Sequence, residues 1–347
     1  MTRSLALLAM LVAIFAAGCG GSSSSKSNGS TTGTSTNASG RVVKIGLVTD
    51  VGGLNDRGFN HLAYLGVQEA AVKLGIKYKV NLSASSGEYV PNLSDFARKG
   101  YDLTIGVGFT EAQAIDTVAT QFPKSRFAIV DVDQTTELHK PPNLLGLLFR
   151  EQEVGYLAGY LAGLQEKRRP GPNVVGSVGG QKQPPVDRFI AGYQAGARAA
   201  DPGIRTLNGY SNDFVKQDLC KTIALNQIGE GAGVVFQVAG GCGLGVINAA
   251  AEKGVWAIGV DADQAYIDPK HVLTSATKHV DVAVYKAIES VVHGKFKGGN
   301  VVYGLKDNGV GLGKINPSVP QSDVQQVEKI RQQIVSGKIT NIPTTVK

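Results

Sequence analysis

The chain has 347 residues, 42% hydrophobic and 18% charged, with three cysteines and a formal charge of +7. That composition buries real cores, so a disordered chain, a disulfide scaffold and a zinc-ribbon protein are excluded, and 45 glycines without a three-residue period exclude collagen. The basic residues are scattered, with Lys167, Arg168 and Arg169 the densest cluster, so the basic stripe that nucleic acid requires is missing, and the modest charge fits a weak attraction to an anionic membrane.

Behind Arg3, residues 5–17 form an apolar run. Thirteen residues of helix span about 20 Å, short of the ~30 Å hydrocarbon core, so 1–18 reads as a secretory signal peptide. Ala16, Ala17 and Gly18 close on Cys19, which resembles a bacterial lipobox and predicts a lipidated Cys19 as the first mature residue. From 20 to 40 the chain is nearly all Gly, Ser, Thr and Asn, with Lys26 its only charge. Such a stretch buries nothing and predicts a flexible tether. The expected setting is the extracytoplasmic face of the cell membrane, reached through the lipid. Cys220 and Cys242 remain; spacing leaves open a disulfide or two small buried thiols.

After residue 40, strand and helix alternate. Apolar runs at 42–48, 103–107, 127–130, 144–149, 173–178, 233–238 and 255–260 predict buried parallel strands. Amphipathic stretches at 61–74, 111–121, 151–164, 186–200, 214–228, 246–253 and 279–293 predict helices, followed by a strand at 301–304 and a helix at 323–336. The rhythm is that of an α/β protein with parallel sheets. We expect one lobe from 41–142 plus about 265–300, and a second from 143–264 plus about 301–347.

Ligands of open α/β sheets sit beyond the carboxyl ends of the strands. The residues there are Asp50, Gly108, Phe109, Asp131, Gly179, Gly180, the 239–245 loop and Asp261. The 50–60 segment carries a glycine pair, Asn55 or Asp56 as a helix cap, and Phe59 beside Asn60. An aromatic beside amide and carboxylate groups suits a flat polar ring. Gly240 and Gly241 open a second loop, and Asp261 lies 21 residues after Gly240; a backbone loop with an acid one strand away suits a ribose. Asp131 and Asp133 compete for a base edge, and Lys278 is read as opening a helix. The five histidines show no metal-ligand spacing, and no nucleophile signature is present.

These motifs resemble the basic membrane protein family of substrate-binding lipoproteins, which includes purine nucleoside-binding members of ABC importers. The matching pieces are 50–60, Gly108 with Phe109, 127–131, 149–164, 178–192, 239–250, 256–264 and 274–278. The resemblance implies a type I periplasmic-binding fold, two lobes joined by three crossovers with the ligand between them. It implies no catalysis, no cofactor and no metal. Carried over, Asp50 and Asn60 bind polar ligand atoms, with Asn55 nearby, and Phe59 stacks on a purine. Gly108, Phe109, Gly240 and Gly241 line the site, Asp131 meets the base edge, and Asp261 and Lys278 hold the ribose hydroxyls. Phe214 is chosen over Phe236 as the second stacking ring. Cys242 departs from the family, standing where a hydroxyl residue is common. The implied partners are a purine nucleoside such as adenosine, guanosine or inosine and membrane-embedded ABC permease subunits, for a monomer. The competing readings are a binder of another small solute (sugar or autoinducer), a sensory lipoprotein, and a surface nucleoside hydrolase or nicotinamide-dependent oxidoreductase.

Overall fold

The computed structural model describes residues 34–35 and 40–346. The expected signal peptide 1–18, Cys19 and most of the tether lie outside the described residues. Ser35 is joined to the body: its N–H donates to the Leu74 carbonyl (3.2 Å) and its carbonyl accepts from the Val43 N–H (3.1 Å).

The first stretch of chain runs β1 (Lys44–Thr49), α1 (Phe59–Leu74), β2 (Lys77–Asn81), α2 (Tyr89–Arg98), β3 (Leu103–Val107), α3 (Ala112–Gln121), β4 (Phe127–Val130) and β5 (Leu144–Phe149). The second runs α4 (Glu151–Glu166), β6 (Val174–Gly179), α5 (Pro184–Ala200), β7 (Arg205–Thr206), β8 (Gly209–Tyr210), α6 (Gln217–Gly229), β9 (Ala232–Val238), α7 (Leu244–Lys253), β10 (Trp256–Asp261) and β11 (Val272–Lys278). Then come α8 (Val280–Val292), β12 (Gly299–Tyr303), β13 (Val310–Leu312) and α9 (Gln321–Val335).

Two sheets result. The first has the order β12-β5-β4-β3-β1-β2 and is parallel throughout. The second has the order β13-β11-β10-β9-β6-β7, with β8 also on β6 and only β13 antiparallel. Strands β3, β4, β5, β6 and β9 are buried along their whole length. Helices cover both faces of such strands, which is why they read as unbroken apolar runs.

The sheets redraw the segment boundaries expected from the sequence. Leu144–Phe149, expected in the second lobe, pairs with β4 in the first sheet. Gly299–Tyr303 pairs with β5 there too, whereas Val272–Lys278 joins β10 in the second sheet. The chain therefore passes between the sheets three times, after β5, after β11 and after β12. The passages are bonded together: the Arg150 N–H donates to the Tyr303 carbonyl (2.8 Å) and the His279 N–H to the Gly309 carbonyl (2.9 Å). The Glu153 carboxylate accepts from the Leu305 N–H (2.8 Å).

Just past the first passage, α4 and α5 pack backbone to backbone. Gly155, Gly159 and Gly163 recur at every fourth residue of α4, and a Cβ on Gly155 or Gly159 would collide with the carbonyl oxygens of Phe189 or Tyr193 in α5. Gly192 and Gly196 of α5 return the contact against Gln152 and Tyr156. A glycine stripe brings two helices closer than any side chain allows.

Candidate functional site

In each sheet the strand order reverses beside the strand that comes first in the chain, between β1 and β3 and between β6 and β9. Loops after neighbouring strands diverge there and leave a crevice at their carboxyl ends. The two crevices combine into one cleft lined by residues of both sheets, at the switch points where the small-molecule sites of α/β proteins form.

The β1 loop builds one wall. Asp56 holds it: one carboxylate oxygen accepts from the Asn60 N–H (2.7 Å), the other from the N–H groups of Gly58 and His61 (both 3.1 Å). These are the otherwise unpaired donors at the start of α1, so Asp56 acts as its cap. Asp50 accepts from Asn60 Nδ2 (2.7 Å) and the Gly52 N–H (3.0 Å). Asn60 Oδ1 is buried in the cleft wall without a hydrogen-bond partner among the described residues. Phe59, the first residue of α1, lines the cleft next to Gly108. Gly108 has φ 112°, and a Cβ there would sit 2.9 Å from Asp50 Oδ2 and 3.4 Å from the Phe59 ring.

The second sheet builds the facing wall. Phe214 lies in the loop between β8 and α6, its ring laid against Gly180 and its backbone against Gly240 and Gly241. Gln183, Pro185, Val186 and Phe189 contribute from the start of α5. Val260 and Asp261 end β10 in the cleft. Asp131 (φ 71°) and Asp261 (φ 62°) both have left-handed backbones directly at strand ends. Non-glycine residues hold that region at a cost of order 1–3 kcal/mol, and such strain clusters at ligand sites.

Lys278 ties the walls together. It is the last residue of β11, where the sequence suggested the start of a helix; the polar Thr274 and Ser275 hide a buried strand from an apolar-run reading. Its ammonium donates to both Asp131 oxygens (2.9 and 2.7 Å) and to Glu151 Oε1 (3.4 Å). Rings surround it, with the centres of Phe59, Phe149 and Phe189 at 4.8, 5.3 and 5.6 Å. Arg188 lies 3.6 Å from the other Glu151 oxygen. Asp131 directly follows β4 of the first sheet and Lys278 ends β11 of the second, so this buried pair crosses between them. A second crossing contact runs from Gln264 Nε2 to the Arg57 carbonyl (3.4 Å).

Burial governs the charges. It pushes Asp50 up to about 6; the bonds from Asn60 and Gly52 pull it back, and the Asp56 and Asp131 charges add to the rise. Burial likewise lifts Asp261 to about 7, against the pull of Lys278. Glu151 rises to about 7 by burial, again opposed by Lys278. Behind Asp50, burial and the Asp50 charge hold the Glu111 carboxyl well above its usual range. Burial disfavours the Lys278 ammonium, but Asp131, Glu151 and Asp261 outweigh it and keep the group charged. The cleft thus presents carboxyl groups stripped of water and one cation already committed to acidic partners.

Of the residues expected from sequence, Asp50, Phe59, Asn60, Gly108, Phe109, Asp131, Phe214, Gly240, Gly241, Asp261 and Lys278 all line this cleft. Asn55 does not; it is exposed in the β1 loop, and its neighbour Asp56 lines the wall in its place. Asp133 turns away, accepting from the Thr135 N–H (2.9 Å) and Asn300 Nδ2 (2.6 Å). Phe236 is fully buried in β9. Helix α6 starts at Gln217, so Phe214 is a loop residue rather than its first turn. Cys220 and Cys242 form a disulfide, with Cα atoms 5.7 Å apart. Sequence reasoning did not single out Gln183, Val186 or Phe189, although the 178–192 segment stood out as a whole.

The family model described as ABC transporter substrate-binding protein PnrA-like matches residues 43–344. The chain belongs to this family. It is 36% identical to the ABC transporter nucleoside-binding protein BmpA of Lactococcus lactis subsp. cremoris, over 86% of this chain and 88% of that one. It is 35% identical to the CD4+ T-cell-stimulating antigen of Listeria innocua serovar 6a, over 97% and 98%. Among solved structures, an ABC transporter solute-binding protein of Aeropyrum pernix K1 superposes with a TM-score of 0.79 at 31% identity, covering 87% of this chain and 94% of that one. The fold is the α/β architecture of these solute-binding proteins.

Proposed function

We propose that the protein is the extracytoplasmic, lipid-anchored binding component of an ABC importer and that its solute is a purine nucleoside. The observation that carries this reading is the pairing of Phe59 and Phe214 in one cleft with Asp50, Asp131 and Asp261. Two phenyl groups offer π faces to a flat heterocycle, each contact being worth about 1–3 kcal/mol on the scale of base–aromatic stacking. Carboxylates accept hydrogen bonds from hydroxyls and ring N–H groups, at about 1.5–3 kcal/mol each when charged. Asp50 and Asn60 take polar atoms of the ligand, Asp131 a base edge, and Asp261 with Lys278 the ribose hydroxyls. The sum supports micromolar or tighter binding after ordering costs.

The mechanism is closure about the three bonded passages, with the nucleoside taken first by one wall and then covered by the other. Lipidated Cys19 tethers the monomer beside its permease subunits, and the nucleoside is released unchanged. The nucleoside named in the BmpA relative agrees with this solute class. Native mass spectrometry of the purified protein tests the reading: a retained mass equal to a purine nucleoside is expected. Retention of a sugar, or free base appearing when inosine is incubated with the protein, would overturn it.

A further inference from the structure

We infer that the Cys220–Cys242 disulfide is a positioning device for Phe214, setting the ring face that the second wall presents to the ligand. This rests on the nucleoside reading above and concerns how that site is built.

Phe214 sits in neither helix nor strand. Upstream, Ser211 and Asn212 are hydrogen-bonded to the end of β6, their N–H groups donating to the carbonyls of Gly179 and Gly180 (both 2.9 Å). Downstream, the Asp213 carboxylate accepts from the N–H groups of Val215 and Lys216 (2.7 and 2.8 Å) and turns the chain into α6. Phe214 itself is held by one backbone bond, its carbonyl accepting from the Cys242 N–H (3.0 Å). Cys242 in turn is bound through sulfur to Cys220, in the first turn of α6.

The result is a closed ring of connections. It runs from Phe214 along the chain to Cys220, across the sulfurs to Cys242, and back to Phe214 through the hydrogen bond. Gly240 and Gly241, which line the cleft, follow the end of β9 and immediately precede Cys242 of this ring. Phe214 is thus fixed against Cys242 by a closed path of six peptide links, one disulfide and one hydrogen bond. Both cysteines are fully buried, so an external reductant does not reach the bond in the folded protein, and the brace is permanent rather than a switch. A wall ordered before the ligand arrives loses less freedom on binding, and affinity gains accordingly.

The test is a mutant cycle read by calorimetric titration of guanosine into the wild type, Phe214→Ala, Cys220→Ala with Cys242→Ala, and the triple variant. A tenfold loss is expected for Phe214→Ala and fivefold or more for the cysteine pair. The triple variant should bind within twofold of Phe214→Ala, because the brace acts only through the ring. A disulfide that merely stabilises the fold would leave affinity unchanged in the folded cysteine variant, and losses that multiply in the triple variant would show independent action; either overturns the inference. If the cysteine variant does not fold, wild-type protein is opened in mild urea with dithiothreitol, whose two thiols supply two electrons and two protons and leave as the cyclic disulfide. After urea removal under reductant, the same fivefold loss is expected, and unchanged affinity overturns the inference. A wild type that binds no nucleoside overturns the functional reading and this inference together, whereas intact wild-type binding with an unaffected cysteine variant overturns this inference alone.

Discussion

The two loops that face each other across the cleft are built in opposite ways. The β1 loop is held by side-chain hydrogen bonds, with Asp56 capping α1 and Asp50 bonded to Asn60. The β9 loop is nearly devoid of side chains and is held by a disulfide. A loop that carries its own polar groups organises itself within about ten residues of sequence. A glycine loop offers close approach to a ligand and is held by its backbone turns, the Gly243 N–H donating to the Gly240 carbonyl (3.1 Å), and by a disulfide to a cysteine 22 residues away. Between them lies Lys278, which belongs to neither loop and pairs across both sheets.

The sharpest way to break this contrast is at that pair. Replacing Asp131 with Ala leaves the buried Lys278 ammonium without its nearest carboxylate. Removing one partner of a buried ion pair costs about 3–5 kcal/mol, so urea unfolding should show a loss of that size, and Lys278→Met should restore much of it. A loss near zero would mean that the pair does not join the sheets.

Phe59→Ala comes next. It removes the ring face supplied by the β1 wall and should weaken nucleoside binding tenfold or more, within the ~1–3 kcal/mol of one stacked base. Titration calorimetry reads it, and unchanged affinity would remove Phe59 from the site.

The pH dependence separates the free protein from the complex. Asp50 and Asp261 have values near 6 and 7 when folded, above their ordinary 3.8. Between about pH 4 and 7 the folded state therefore holds protons that the unfolded chain has released. Their contribution to stability is present below pH 4 and is lost as pH rises through 6 and then 7. A nucleoside whose hydroxyls donate to these groups favours their ionised forms, so affinity should move the other way. It should fall by roughly tenfold, about one pKa unit of linkage, from pH 8 to pH 5, with protons released on binding. Calorimetry in buffers of different ionisation enthalpy detects that release, and proton uptake would contradict the assignment.

Two smaller effects divide neighbours in the β1 loop. Asp56→Ala removes the cap and should cost about 1 kcal/mol in stability and several-fold in affinity. Asn55→Ala should change neither beyond twofold, because Asn55 is exposed outside the cleft.

Much of the fold was legible because buried parallel strands announce themselves as apolar runs, and the strand-end rule then pointed to Asp50, Gly108, Asp131 and Asp261. What stayed hidden has physical causes. Asn55 and Asp56 are equivalent as caps until the chain's path decides which carboxylate or amide faces the helix. Val272–Lys278 buries two Thr and a Ser inside a strand, their hydroxyls bonded to backbone groups of Gly313, Gly311 and Gln264, so hydrophobicity does not mark it. The spacing of Gly155, Gly159 and Gly163 was visible, but its meaning depends on the glycines of α5 that meet it. The disulfide needed the three-dimensional approach of two segments that no local pattern brings together.

The central claim is that a heterocycle is gripped between Phe59 and Phe214 while carboxylates hold its pentose. Titrating adenosine, guanosine, inosine and D-ribose separately into the wild-type protein tests it most directly. The account predicts a dissociation constant at or below the micromolar range for at least one nucleoside and far weaker binding of ribose alone. Ribose binding as tightly as any nucleoside, or no heat with all three nucleosides, would contradict it.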